Sequence, residues 1–420
     1  MVIKTLFLEN YKGYKRVFLP LVDVNFFVGE NSSGKTAVLN LLYLIHQPDF
    51  WLSGNLNSNE VELGYFEEII NKFSNDLESF SIGLEVLEQP NETLSYFKFR
   101  YVNKKGTPVL DEMQYLVGDK TVLIKYFINK KNGVSYKIKD LKKTSFEQWI
   151  SNDDSWSGFK RLSISKDKSL YQVRTLLEEK LRQLGIRSDT RYSFFFTNFS
   201  WIAPIRAKPQ RYYESFSVNQ SSDGAHIPVV LHNLFQKASN GTDLIIRALE
   251  KFGKNSNLFD SIKIARFSKQ KGSPFEIDIT YNSMPIKITN VGYGVSQIMP
   301  VLVELLITKG ELIAIQQPEV HLHPKAQAAF GEFIFDNCIS NRNRFVMETH
   351  SDYTINRFRY LLHKSQRKSL PQAQVIFFER TDNGTMFQAL PILPNGRYPD
   401  DLPSSFGEFF MNEELRLLEI

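Results

Sequence analysis

The stretch "GENSSGKT", Gly29 to Thr36, constrains this chain more than any other. An apolar run, "VNFFVG", leads into it and another, "TAVLNLLYLIHQ", leads out. That order reads as strand, loop, helix, the entry to an α/β domain. The loop matches G-x-x-x-x-G-K-[ST] in full. Gly29 and Gly34 let the backbone curl, so that N–H groups across Glu30, Asn31, Ser32 and Ser33 face inward on phosphate oxygens. The helix starting near Lys35 adds its positive end. Lys35 reaches the β- and γ-phosphates, and Thr36 offers its hydroxyl to Mg²⁺. ATP and Mg²⁺ are therefore the expected cofactors.

Composition narrows the setting. The chain's 420 residues suffice for a large core and two or three domains. A net charge of +5 permits contact with nucleic acid without demanding it. The single cysteine, Cys338, excludes an internal disulfide and fits a reducing compartment. No apolar run approaches the ~20 residues of a membrane helix. The N-terminus, "MVIKTLFLENYKGYK", has no signal-peptide layout. The expectation is a cytoplasmic protein with no membrane partner.

Along the chain, "IKTLFLEN" and "VNFFVG" read as two strands with a polar turn region between them. Residues 1–48 are expected to be the N-terminal part of the ATPase core. Residues 49–194 read as an inserted lid or arm: a polar start, alternating strands from "SFSIGLEVLEQ" to "VSYKIKD" with a Lys-Lys-Asn-Gly turn, then charged helices. Residues 195–385 read as the C-terminal part of the core. They hold the apolar run "YSFFFTNFSWIAPIR", a hairpin in "FEIDITYNSMPIKITNVG", buried-type strands "LIAIQQPE" and "NRFVMETHSD", and a hairpin turned at Asn383-Gly384. Residues 386–420 read as a tail ending in a short amphipathic segment.

Three stretches bear on the class of chemistry. In "IAIQQPEVHLHP" the strand ends on Gln316 and Gln317, where a nucleotide hydrolase needs acids for Mg²⁺ and water. Glu319 is the nearest acid. It reads either as a group touching the metal shell through water or as the cap of the following helix. His321 and His323 read as residues that orient that turn, since two ligands do not close a metal site. In "FVMETHSDYTINRF", His350 follows a buried strand directly and stands where it can reach a γ-phosphate or the attacking water. In "NVGYGVSQIMP", Gly292 and Gly294 precede a helix carrying Ser296 and Gln297. This is a second anion-ready helix start, expected to serve the nucleotide of a second copy.

Together these motifs resemble the ABC-type ATPases of the OLD and SMC/RecF-like branch, and closely the prokaryotic AAA-family ATPases whose switch histidine lies in "THS". The resemblance spans about 1–47 and 195–420. "WIAPIRAKPQRYY" is similar to the family's Gly-Pro-x-Arg-x-x-Pro stretch, with Ala203 in the glycine's place. "LENYKGY" is similar to its N-terminal turn near the nucleotide. The family pattern has Glu-Gln-Pro-Glu or Glu-Glu-Pro-Glu where this chain has Gln316-Gln317-Pro318-Glu319. The resemblance thus implies a metal acid at position 316 that is missing. Two readings stay open: a Glu→Gln substitution that traps ATP, or a natural weak or dead hydrolase. The predicted fold is an ABC-type P-loop core, a mixed sheet flanked by helices, with the inserted section. Gly292, Gly294, Ser296 and Gln297 would act in trans in a homodimer or higher oligomer built around ATP.

The chain lacks the Asp-x-Asp cluster of a TOPRIM nuclease and a His-Asn-His pattern, so any further chemistry falls to a partner. Small ATPases of this kind resemble those of antiphage systems such as Septu and PARIS. That implies a sensor and scaffold controlling a separate nuclease or toxin. The alternative is a RecF- or SMC-like repair ATPase that clamps DNA. A transporter subunit is disfavoured because Leu-Ser-Gly-Gly-Gln is absent.

Overall fold

The computed structural model describes residues 2–88, 92–117, 120–127, 133–140, 144–152, 157–163, 170–183, 199–214, 219–236, 240–268, 270, 272–402 and 405–407. Among these, no helix is long and apolar enough to cross a membrane. The chain divides into two compact units. One comprises Met1–Leu21, Glu30–Thr197 and Phe378–Ala389; the other comprises Val22–Gly29, Asn198–Phe377 and Leu390–Ile420. These limits differ from the expected ones. The first 21 residues fall in one unit with the section read as an insert, and the strand "VNFFVG" falls in the other.

The first unit carries an eight-stranded sheet in the order Tyr14–Pro20, Val2–Tyr11, Ser79–Glu88, Thr93–Lys104, Thr107–Val117, Lys120–Phe127, Gly133–Asp140 and Lys160–Ser163. Every pairing in it is antiparallel. Tyr14–Pro20 was expected to be a polar turn region. It is instead an edge strand, joined to Val2–Tyr11 by the tight turn Lys12-Gly13. Its Lys15 and Arg16 are exposed on that edge, where charged side chains discourage stray pairing. The inner face is aromatic: Trp51 meets Phe97 and Phe99 edge-on at 5.4 and 5.6 Å, and Phe80 stacks on Tyr101 at 5.1 Å. The strands expected over 79–140 are present, while their Lys-Lys-Asn-Gly turn lies largely outside the described residues.

The second unit is the α/β part. Phe199–Ile202, Leu312–Gln316, Arg344–Glu348 and Val24–Gly29 are consecutive parallel strands of its sheet. Leu312–Gln316 and Val24–Gly29 are buried at every residue, as parallel strands with covered faces require. Helices Tyr293–Ile307, Pro324–Asn341 and Asp352–Lys364 connect or follow them, and a three-stranded antiparallel sheet, Ser261–Arg266, Phe275–Tyr281 and Met284–Lys287, stands apart from the parallel one. The core joins Phe26, Val28, Ile313, Ile315, Phe345 and Met347 to helix residues such as Leu302, Phe330 and Phe358. The hairpin expected at Asn383-Gly384 is present, with Gly384 at φ 117°. All but three residues, 405–407, of the tail beyond Leu402 lie outside the described residues.

Candidate functional site

The loop after Val24–Gly29 has the backbone its glycines predict. Gly29, Ser32 and Gly34 take φ of 139°, 62° and 96°. Ser32 bears a Cβ in a left-handed conformation, the kind of local strain that tight functional turns hold. A Cβ on Gly34 would stand 2.6 Å from the Tyr14 hydroxyl and 3.3 Å from Thr385. The expected N-terminal turn therefore does sit against the loop, and Tyr11 donates its hydroxyl to the Ala37 carbonyl at 3.1 Å. Lys35 is buried, and its ammonium donates to the Glu30 carbonyl at 2.6 Å and to Ser33 Oγ at 3.4 Å. Thr36, in the first turn of helix Lys35–Ile45, is exposed. Glu30, Asn31 and Ser32 are exposed as well, while Ser33 is buried. A curled loop, a lysine drawn over it and an exposed threonine at a helix start fit a phosphate chain and its magnesium.

The parallel strands of the second unit end together. Gln316 is in register with Glu348, and Glu348 with Phe27, two residues before Gly29. In open parallel sheets, ligands bind outside such carboxyl ends. Gln316 is buried, and its Nε2 lies 3.4 Å from Glu348 Oε2. Gln317 holds φ 42° and donates its N–H to the Glu348 carbonyl at 2.8 Å, so it turns the chain out of the sheet.

Beyond the turn, Glu319 does not cap the next helix. His323 does so, accepting the Ala326 N–H through Nδ1 at 3.3 Å. Glu319 instead accepts the Thr349 hydroxyl at 2.9 Å and the His350 main-chain N–H at 2.6 Å. The imidazole of His350 remains exposed. His321 takes φ 68°, and its carbonyl stands 2.7 Å from where a Cβ on Gly294 would be. Gly294 is thus needed to let the second glycine loop approach this turn. Within that loop Gly292 and Tyr293 are exposed, whereas Ser296 and Gln297 are each only 5% exposed. Ser296 donates its hydroxyl back to the Tyr293 carbonyl at 3.0 Å. Of the four residues expected to meet a second copy's nucleotide, Gly292 is exposed and Ser296 and Gln297 are buried.

Two residues at the strand ends went unassigned in the sequence. Glu348 is a buried carboxylate, 6% exposed, and only its neighbour in the next strand marks it. Arg206 is 3% exposed and donates through Nη2 to the Gln316 carbonyl at 3.0 Å. Its Nε and Nη1 are buried with no hydrogen-bond partner among the described residues. Burial pulls its guanidinium down to about 10, with the Glu319 carboxylate acting in the opposite sense. The match of "APIR" to the family stretch was the available signal.

A glycine loop between a buried parallel strand and a buried helix, with polar groups on the adjoining strand ends, defines a P-loop α/β protein. Residues 24–356 match the family described as "AAA domain, putative AbiEii toxin, Type IV TA system", and the chain belongs to that family. Solved structures similar to it include an SMC head bound to the C-winged helix domain of ScpA, at 12% identity and TM-score 0.47 over 93% of this chain and 98% of that one. The SMC head domain from Thermotoga maritima is 11% identical, with TM-score 0.40 over 93% and 99%. The Smc head domain from Pyrococcus furiosus, with an extended coiled coil and bound to the C-terminal domain of ScpA, is 10% identical, with TM-score 0.43 over 99% and 98%. No curated protein matches.

Proposed function

We propose that this protein is an ABC-type ATPase that pairs around ATP and acts as sensor and scaffold for a separate nuclease or toxin, in antiphage defence. The observation that carries the nucleotide reading is the sheet order. Gly29, which opens the phosphate loop, ends a strand paired to Arg344–Glu348, which is itself paired to Leu312–Gln316. Lys35 and the loop amides would hold the phosphates, and Thr36 would offer its hydroxyl to Mg²⁺. When bound, Mg²⁺ would neutralise phosphate charge. His350, exposed and tied by its main-chain N–H to Glu319, would be the residue to reach the γ-phosphate or the attacking water. Gln316 cannot accept a proton from water, so turnover is slow and the ATP-bound pairing long-lived. Gly292 and Tyr293, the exposed part of the second glycine loop, support contact with a second copy's nucleotide. The family's description as a toxin of a toxin–antitoxin system supports an effector-linked role.

The test is ATP binding by titration calorimetry, with light scattering in the presence and absence of ATP and co-purification of the neighbouring genes' products. ATP should bind, Lys35→Ala should abolish binding, and ATP should shift the mass to at least a dimer that carries an effector. Unchanged affinity in Lys35→Ala contradicts the site. Duplex-DNA binding that tightens with ATP and weakens steeply with salt, without any effector, would favour the DNA clamp instead.

A further inference from the structure

We propose that Glu348, and not position 316, supplies the carboxylate that holds Mg²⁺ in this site. The inference rests on the ATP-binding reading above and adds the identity of the metal's acid. Gln316 and Glu348 are in register on adjacent parallel strands, both 6% exposed, with the amide nitrogen 3.4 Å from the carboxylate. The amide must face Glu348 with its NH₂ end, because the opposite flip would set oxygen against oxygen. The side-chain oxygen of Gln316, Oε1, is then turned away from Glu348, as a neutral ligand. The pair offers one amide oxygen and one carboxylate. Mg²⁺ at phosphate sites needs no more, since it takes one or two carboxylates beside phosphate oxygens and water.

A second observation marks this strand end as prepared for a ligand. Arg206 is anchored on the Gln316 main-chain carbonyl, nine-tenths buried, with Nε and Nη1 unpartnered among the described residues. A buried guanidinium with unmet donors is costly unless an anion completes it. A nucleotide phosphate coordinated to the Glu348-held metal is such an anion. Glu319, by contrast, accepts hydrogen bonds from Thr349 and His350 that tie it to their turn.

The test compares ATP affinity in Mg²⁺ and in EDTA, by titration calorimetry, for the full chain and for Glu348→Gln, Glu348→Asp, Gln316→Ala and Lys35→Ala. For the unaltered chain Mg²⁺ should tighten ATP binding. In Glu348→Gln that gain should fall by about 10-fold or more, the usual penalty for disturbing a metal's ligand set, with affinity in EDTA unchanged. Glu348→Asp should keep part of the gain, and Gln316→Ala most of it. Electron paramagnetic resonance of Mn²⁺ with ATP should show the ion bound to the unaltered chain and released from Glu348→Gln. A full Mg²⁺ gain in Glu348→Gln overturns the inference. So does an equal loss of affinity in Mg²⁺ and EDTA, which would make Glu348 a structural residue while leaving ATP binding intact. If the unaltered chain binds no ATP in either condition, or Lys35→Ala binds it normally, the underlying nucleotide reading fails instead.

Discussion

The carboxylate of Glu319 accepts the main-chain N–H of His350 at 2.6 Å and the hydroxyl of Thr349 at 2.9 Å. It fixes the turn that carries the histidine and leaves the imidazole exposed. Charge-assisted bonds of this kind are about twice as strong as neutral ones. Glu319→Ala should therefore let the turn drift, and a displacement of about 1 Å can cost 10²-fold in rate. Measured as phosphate release in a Gln316→Glu background, the loss should approach that figure, with Glu319→Gln intermediate. Full activity in Glu319→Ala would detach His350 from the chemistry.

Gly34 is the tightest point of the phosphate loop. Gly34→Ala faces a Tyr14 hydroxyl at 2.6 Å and a backbone at φ 96°. It should lose ATP affinity severely, and adding Tyr14→Phe should recover only part, because the backbone strain persists. ATP titration of the single and double variants checks this.

Nucleotide-dependent pairing is best probed at Gly292. A side chain there meets nothing within 4 Å, and the backbone is ordinary at φ −58°. Gly292→Arg should fold, bind ATP as a monomer and fail to pair by light scattering. Ser296→Arg is the poorer probe, since it would force a charge into a site only 5% exposed.

Arg206→Met should hold or raise the thermal midpoint, because a buried charge with two unpartnered donors is removed. It should still lower turnover about 10-fold in the Gln316→Glu background, as the main-chain carbonyl at position 316 loses its anchor. A midpoint drop of the size that follows loss of a buried ion pair would show the guanidinium to be a structural partner.

The parts legible in the sequence were local. The loop at Gly29–Thr36 announces itself through its glycines and its flanking apolar runs, and "LIAIQ" and "RFVME" read as buried strands because nothing polar interrupts them until their ends. The pairing of Ser79–Glu88 with Val2–Tyr11 was hidden, because strand partners far apart in sequence leave no periodic trace. The edge strand Tyr14–Pro20 was masked by its exposed lysine and arginine. Glu348 and Arg206 were invisible as a site for the same reason. Their proximity to Gln316 is made by register and by a contact across 110 positions.

The most direct measurement is phosphate release at saturating Mg²⁺ and ATP by the chain with Gln316, Gln316→Glu and Gln317→Glu. A carboxylate at 316 would add a second negative ligand beside Glu348 and restore electrostatic help worth ~10²–10⁴ in rate. The chain as it stands should turn over slowly. Gln316→Glu should raise the rate by about 10²-fold or more, dependent on His350, and Gln317→Glu should do less. Equal rates for the unaltered chain and Gln316→Glu would contradict the account: position 316 would not face the metal, and the protein would be an ATP-binding scaffold without a latent hydrolase.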